Sequence, residues 1–165
     1  MTEPRLVRIE SPVGRLVIAA DARGALLCEF LDERDAMRHA PALPPGEADP
    51  AMLDRLRDEL AAYFAGTLQR FTVPLAPLGT AFQQAAWQQL SAIPFGQTRS
   101  YAQQAVAVGN AKAVRAVAGA NRRNFRGILI PCHRVIGSNG TLVGFGGGLV
   151  RKQWLLDHER AQLRL

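Results

Sequence analysis

Short apolar runs separated by turn residues fill the first thirty residues of the chain. Residues 5–10, 15–20 and 25–31 are rich in Val, Leu and Ile, and the segments ESPVG and DARG lie between them. Apolar runs of this length, bounded by Gly, Pro, Asp and Ser, are typical of short strands joined by tight turns. They predict a small antiparallel sheet.

A proline-rich stretch interrupts this pattern before helical periodicity begins. APALPPGEADP, residues 40–50, has four prolines and a glycine, and predicts a linker. Asp49-Pro50 is a typical helix start, and Gly66 is a typical end. The apolar face of the predicted helix consists of Met52, Leu53, Leu56, Leu60, Tyr63 and Phe64.

Two capping-box pairs mark the helices of the second half. Thr80 and Gln83 mark the start of a helix whose expected buried stripe is Phe82, Ala86, Leu90 and Ile93, with Trp87 beside it. Ser100 and Gln103 precede a short helix, 101–108, and the turn Gly109-Asn110 separates it from a helix predicted at 111–121. Two short helices joined in this way outline a helix-turn-helix at about 101–121.

The last third of the chain mixes irregular segments with one helix. GILI predicts a short buried strand or extended segment that leads into PCHRV, residues 131–135. A turn, GSNG, and a glycine-rich loop follow, and then an amphipathic helix with Leu149, Trp154, Leu155 and Leu156 facing inward. We expect an α/β N-terminal lobe, 1–78, with a small antiparallel sheet, and a mostly α-helical lobe, 79–165, that contains the helix-turn-helix.

Charge divides the chain in the same way. Residues 1–80 contain nine arginines and twelve acidic residues, whereas residues 81–165 contain eleven basic residues and only Asp157 and Glu159 as acids. A basic half without counter-charges favours a polyanionic partner such as nucleic acid. A generally basic proteome that prefers arginine is the alternative, and it explains the excess of arginine over lysine but not the missing acids. No apolar run approaches the roughly 18–20 residues of a membrane span. The start, MTEPRLV, is not an apolar signal segment, so we expect a cytoplasmic protein without membrane association.

The two cysteines, Cys28 and Cys132, leave three roles open for the thiol in PCHRV. A metal site is disfavoured because the Cys and His residues lack paired ligand spacing. A buried structural thiol is the ordinary alternative. A nucleophile is favoured by His133 next to Cys132, by the irregular backbone that proline and glycine impose, and by a carboxylate that could orient the imidazole.

A nucleophilic thiol in a nucleic-acid-binding half needs an electrophile that DNA can present. A base that carries a misplaced alkyl group is such an electrophile. Attack on the alkyl carbon would release the purine and leave a thioether, which offers water no carbonyl to attack. A protein of this kind would act once.

The segments IPFGQTRSY, RAVAGANRRN, IPCHRVIGSNG, GFGGG and RKQWLLDHE occur in this order. Together they resemble the O6-alkylguanine-DNA alkyltransferases (methylated-DNA–protein-cysteine methyltransferases), with a specific match over about residues 79–160 and a looser one before it. The resemblance implies that Cys132 accepts the alkyl group, that His133 acts as its base through a water, and that Glu159 orients His133. It also implies that Asn124 is a hinge residue that ties the recognition helix to the active-site segment. A surface role for Glu159, beside Arg160, is the alternative.

The resemblance also implies how DNA is bound. The second helix of the motif would lie in the minor groove of double-stranded DNA, Arg115 would fill the gap left by a flipped alkylated base, and Tyr101 would contact its phosphate and guanine ring. An exposed basic residue and a core aromatic are the alternatives for these two positions. Pocket residues would be Val135, Phe145 and Gly146, and further DNA contacts would be Asn110, which could be a turn residue only, and Ser138. No cofactor or metal is implied, and the free protein is expected to be a monomer.

Two positions depart from the family pattern. Phe125 follows Asn124 where proline is common, and Phe145 stands where tyrosine is frequent.

The expected activity is direct reversal of O6-alkylguanine damage, and more weakly of O4-alkylthymine. The alternatives are a non-catalytic alkyltransferase-like damage sensor, a cysteine hydrolase or acyltransferase, and a plain helix-turn-helix regulator.

Overall fold

The computed structural model describes residues 6–30, 43–145 and 148–164. Its chain divides into two units, Met1–Leu78 and Gly79–Leu165. Each unit has its own elements and is described separately below. None of the helices within the described residues is long and apolar enough to cross a membrane.

The first unit contains the expected antiparallel sheet. Its strands β1 (Val7–Ile9), β2 (Leu16–Asp21) and β3 (Gly24–Phe30) pair in chain order. The β2–β3 turn needs glycine at position 24, because the backbone there has a φ of +134° and an added Cβ would lie 2.2 Å from the Pro74 carbonyl oxygen.

Helix α1 (Pro50–Phe64) covers this sheet and starts as predicted. The Asp49 carboxylate accepts a hydrogen bond from the Met52 N–H at 2.9 Å, which satisfies one of the free donors of the first turn. The buried side chains face β2 and β3, and they are Leu53, Leu56, Leu60 and Tyr63. Each such side chain contributes about 1.5–3 kcal/mol by leaving water.

The second unit is mostly helical, as expected. In chain order its elements are α2 (Ala81–Ser91), β4 (Arg99–Ser100), α3 (Tyr101–Ala107), α4 (Val114–Arg122), a 3₁₀ turn (Cys132–Arg134), β5 (Val135–Ile136) and α5 (Leu149–Gln162). Strands β4 and β5 pair in parallel, with Arg99 opposite Val135. This pairing brings the start of α3 next to the segment that carries Cys132.

Both predicted capping boxes are present at the starts of α2 and α3. The α2 helix buries Ala86, Trp87 and Leu90, but the expectation that Phe82 is buried was wrong. Phe82 is 40% exposed because it lies in the first turn, where it lines a groove beside Arg122 and Arg123 instead of the core.

The second helix of the predicted pair begins later than expected. The pattern placed it at 111–121, whereas α4 spans Val114–Arg122. The Asn110 side chain accepts a hydrogen bond from the Lys112 N–H at 3.0 Å, and the Ala113 N–H donates to the Asn110 carbonyl at 3.0 Å. These local bonds hold residues 110–113 in a turn and compete with helix formation.

Two further expectations in this unit were wrong. GILI does not form a strand, because the Leu129 N–H closes a tight turn onto the Gly127 carbonyl at 2.8 Å. Ile128, at the centre of this turn, has a φ of +71°, which is strained for a β-branched residue. Leu149 is 47% exposed, since it lies in the first turn of α5. The inward face of α5 is formed by Lys152, Leu155, Leu156 and Glu159.

Candidate active site

Cys132 begins the 3₁₀ turn and lies at the edge of an apolar cluster. The segment 128–131 precedes Cys132 in the chain. Strand β5, which pairs in parallel with β4, follows the 3₁₀ turn. The thiol is partly buried and packs against the cluster formed by Trp87, Leu90, Ile93, Ile130 and Val135. The backbone at this position is therefore held from both sides.

Asn124 joins the end of α4 to the Cys132 segment. Its side-chain Nδ2 donates to the Ile130 carbonyl at 2.8 Å, and its Oδ1 accepts from the Arg126 N–H at 3.0 Å. The side chain is buried, and it acts to lower the pKa of the Cys132 thiol. The geometry fits the linking role that the resemblance implied.

The departure at Phe125 is accommodated by aromatic packing. The Phe125 ring meets the Trp87 ring edge-on, with 5.6 Å between centroids. The Arg126 guanidinium lies over both rings, 5.2 Å from Phe125 and 5.8 Å from Trp87. Phe125 is the position where the resemblance led us to expect proline. A proline there would fix the backbone angle φ, whereas Phe125 is held in place by these side-chain contacts.

His133 and Glu159 form a fully buried pair. The distance between His133 Nε2 and Glu159 Oε2 is 2.6 Å, and neither side chain is exposed. An ionised carboxylate only accepts hydrogen bonds, so Nε2 carries the proton and Nδ1 keeps its lone pair. Within the described residues Nδ1 has no hydrogen-bond partner. Burial lowers the pKa of His133, although Glu159 acts in the opposite direction, so the imidazole favours its neutral form.

The Glu159 carboxylate has further donors. Arg134 donates to it through Nε at 2.8 Å and Nη2 at 3.1 Å, and the Gly96 N–H donates at 3.1 Å. Burial opposes its ionisation, but the hydrogen bonds and positive charge from His133 and Arg134 hold the pKa of Glu159 well below its usual range. The alternative that Glu159 is a surface partner of Arg160 is therefore wrong.

The environment of the Cys132 thiol contains opposing influences. Burial raises the pKa of Cys132, whereas the hydrogen bond with Asn124 and the charge of Lys152 act to lower it. Desolvation dominates, so the thiol favours its protonated form in the free protein. A base that removes the proton during attack is then required.

Lys152 is a buried residue of the site that the sequence analysis did not single out. Its Nζ donates to the carbonyls of Val135 at 2.5 Å, Val143 at 2.9 Å and Gly144 at 3.3 Å, and burial lowers its pKa to about 8. It holds the loop 143–145 against β5. Its position seven residues before Glu159, two turns along α5, was the available signal, because residues at this spacing share a helix face.

Tyr101 lies on the other side of this loop. Its hydroxyl donates to the Val143 carbonyl at 2.9 Å, and its ring lies 5.9 Å from Lys152 Nζ. Burial raises the pKa of Tyr101, so the hydroxyl keeps its proton. The expected pocket residues Val135 and Phe145 are respectively buried and half-buried, while Gly146 falls outside the described residues.

Three of the predicted DNA contacts are not part of this cluster. Arg115 on α4, Asn110 in the turn before it and Ser138 after β5 are all exposed. Their functional roles remain predictions. No group of three His, Cys, Asp or Glu side chains that could hold a metal ion occurs among residues 6–30, 43–145 and 148–164.

Two family models match almost the whole chain. Residues 8–77 match the ribonuclease-like domain of 6-O-methylguanine DNA methyltransferase, and residues 81–161 match its DNA-binding domain.

Named relatives and solved structures agree with these matches. The methylated-DNA–protein-cysteine methyltransferase of Methanosarcina acetivorans is 43% identical, over 91% of this chain and 94% of the relative. The constitutive enzyme of that name from Bacillus subtilis is 42% identical, over 92% of both chains. A crystal structure of the Mycobacterium tuberculosis protein in complex with DNA has a TM-score of 0.82 and 41% identity, and covers 94% of this chain and 92% of that one. The chain therefore belongs to the 6-O-methylguanine DNA methyltransferase family.

Proposed function

We propose that this protein repairs O6-alkylguanine in DNA by transferring the alkyl group, once and irreversibly, to the Sγ atom of Cys132. The observation that carries the proposal is the buried Glu159–His133 pair next to Cys132 in a chain of this family. Glu159 fixes the imidazole tautomer, so that a lone pair remains on Nδ1 of the residue that directly follows Cys132.

The reaction balances without a cofactor. His133 takes the thiol proton through a water as the Cys132 sulfur attacks the alkyl carbon. The bond from that carbon to O6 breaks, its electron pair passes to the guanine, and Tyr101 donates a proton to the ring as it leaves. The proton held by His133 then returns to Tyr101 through water, so the charge of the protein is unchanged. The products are a thioether and unmodified guanine, and no step regenerates the thiol.

Access to O6 requires the alkylated nucleotide to leave the base stack, at a cost of a few kcal/mol. We place double-stranded DNA against α3 and α4, with α4 in the minor groove. Arg115 is exposed on α4 and free of the buried network, as the residue that fills the vacated position would have to be. The exposed Asn110 and Ser138 are proposed phosphate contacts. The second unit, 79–165, is the proposed DNA-binding and active-site domain.

Mass spectrometry of the intact protein after mixing with a duplex that carries one O6-methylguanine tests the proposal. We expect one methyl group per protein, and peptide mapping should place it on Cys132. Cys28 serves as the internal control, and the Cys132→Ala variant should bind the lesion without becoming modified. An unmodified wild-type protein that still binds the lesion would favour the damage-sensor alternative. Turnover beyond one equivalent would favour a hydrolase or acyltransferase.

A further inference from the structure

Arg134 is a buried, multiply bonded charged side chain next to the His133–Glu159 pair. Its guanidinium forks onto Glu159 through Nε and Nη2, and its Nη1 donates to the Ile93 carbonyl at 2.7 Å. It also lies 5.7 Å from the centre of the Phe95 ring. The side chain is 8% exposed, so these contacts are made away from bulk water.

The fork changes what Glu159 does to the imidazole. A buried carboxylate with histidine as its only partner would stabilise the imidazolium form, and a general base must start in the neutral form. Arginine stays charged in proteins, and its planar fork fits a carboxylate at two points. Arg134 therefore offsets the carboxylate's negative charge, while it still leaves Oε2 in place to accept from His133 Nε2.

The other charged groups near His133 do not replace this effect. Helix α2, which packs against the 3₁₀ turn, has no charged side chain, and on β4 the Arg99 guanidinium bonds to the Thr98 carbonyl and Gln97 side chain. Lys152 is directed to backbone carbonyls. The titratable and charged groups around His133 are thus Cys132 and Arg134 on its own segment, and Lys152 and Glu159 on α5.

We propose that Arg134 is a positioning residue for alkyl transfer: it holds Glu159 against His133 and offsets its charge, so that the imidazole stays neutral and able to accept a proton. The inference rests on the proposed function, since it concerns the base of that reaction. It extends the Cys132–His133–Glu159 arrangement by a fourth residue, which acts through Glu159 and does not touch the substrate.

The test is the pH dependence of the single-turnover rate of methyl transfer from an O6-methylguanine duplex, measured from about pH 5.5 to pH 9. The Arg134→Gln variant removes the charge and keeps an amide that can donate a hydrogen bond. Its imidazole should hold a proton more tightly, so we expect the acid limb of the profile to move up by about one pH unit. The variant should then be roughly tenfold slower than wild type near pH 6 and approach it near pH 9.

The matched control is Arg134→Lys, which keeps the positive charge and loses the fork. Its acid limb should stay near that of wild type, even if the rate falls by a constant factor. A merely structural role for Arg134 predicts that Arg134→Gln loses the same factor at every pH. That result, or an unshifted acid limb, would overturn the proposal.

A second measurement uses the wild-type protein alone, and so does not depend on how the variants fold. Nitrogen chemical shifts of the His133 ring should show a neutral imidazole with its proton on Nε2 at pH 7. An imidazolium at pH 7 would refute the inference. If wild-type protein transferred no methyl group, the proposed function would fail, whereas the ring shifts would still report the protonation state of His133, and the same spectra of Arg134→Gln would show whether it depends on Arg134.

Discussion

The substitution Glu159→Gln tests the buried network through its effect on stability. The carboxylate accepts hydrogen bonds from His133, Arg134 and the Gly96 N–H, and it is fully buried. An amide in its place leaves the Arg134 charge buried without a counter-charge and turns one acceptor into a donor. Breaking a buried ion pair from one side costs about 3–5 kcal/mol. At about 2–4 °C per kcal/mol for a chain of this size, the melting temperature should fall by roughly 6–20 °C.

Thermal unfolding, followed by circular dichroism at pH 7, measures this loss. The matched control is Asp157→Asn, two residues earlier on α5, where an exposed carboxylate accepts a hydrogen bond from Gln153 at 2.8 Å. An exposed substitution of this kind should change the free energy of unfolding by no more than about 0.5 kcal/mol. A melting temperature for Glu159→Gln as close to wild type as that of the control would refute the reasoning.

The pH dependence of the same difference supplies a check on its electrostatic origin. Folding lowers the pKa of Glu159, so the unfolded chain binds more protons than the folded chain at acid pH. The contribution of the carboxylate is therefore complete above about pH 4.3, the ordinary pKa of glutamate, and declines as the pH falls below that value. The stability gap between wild type and Glu159→Gln should narrow in that window. A gap that is constant down to pH 3 would contradict the electrostatic explanation.

Two further predictions concern residues outside the Glu159 network. Gln104 and Asn121 exchange two buried side-chain hydrogen bonds, of 2.9 and 2.7 Å, between α3 and α4. In urea unfolding, Gln104→Ala should lower the free energy of unfolding by about 1–3 kcal/mol because it leaves the buried Asn121 amide without a partner. Replacing both residues by leucine should recover most of that loss, and strictly additive effects of the two substitutions would contradict the prediction. Cys28 is 1% exposed, and burial raises the pKa of its thiol, so iodoacetamide should not label Cys28 in the native protein. Peptide mapping, with urea-denatured protein as the control, measures this labelling. Labelling of native Cys28 as fast as of Cys132 would refute it.

Local sequence signals were sufficient for most secondary structure. Asp49-Pro50, the two capping boxes and the alternation of apolar runs depend on residues a few positions apart, so the elements they predict are found with shifted ends. The errors fall where longer-range packing decides. Phe82 and Leu149 fit an apolar stripe, but each lies in a first turn that extends beyond the core. The strained turn at Ile128 has no sequence pattern of its own, because apolar residues there are equally typical of a strand.

The candidate site divides along the same physical boundary. PCHRV, the acid-free stretch before Asp157 and the order of the flanking segments are properties of the chain, and they determined the family, the candidate nucleophile and its imidazole. Glu159 lies 26 residues from His133 and 25 from Arg134, so the sequence pointed to its contact with His133 only through the resemblance, and only the tertiary structure could decide its contact with Arg134. Lys152 was overlooked because a lysine within an amphipathic helix is ordinarily solvated, and here packing directs its charge onto three backbone carbonyls. The sequence analysis did not single out Arg134, because a basic residue in a basic half of a chain is ordinarily interpreted as a contact with DNA. Its carboxylate partner, Glu159 on α5, is identified only in the folded chain, where the arginine and the carboxylate are both removed from water.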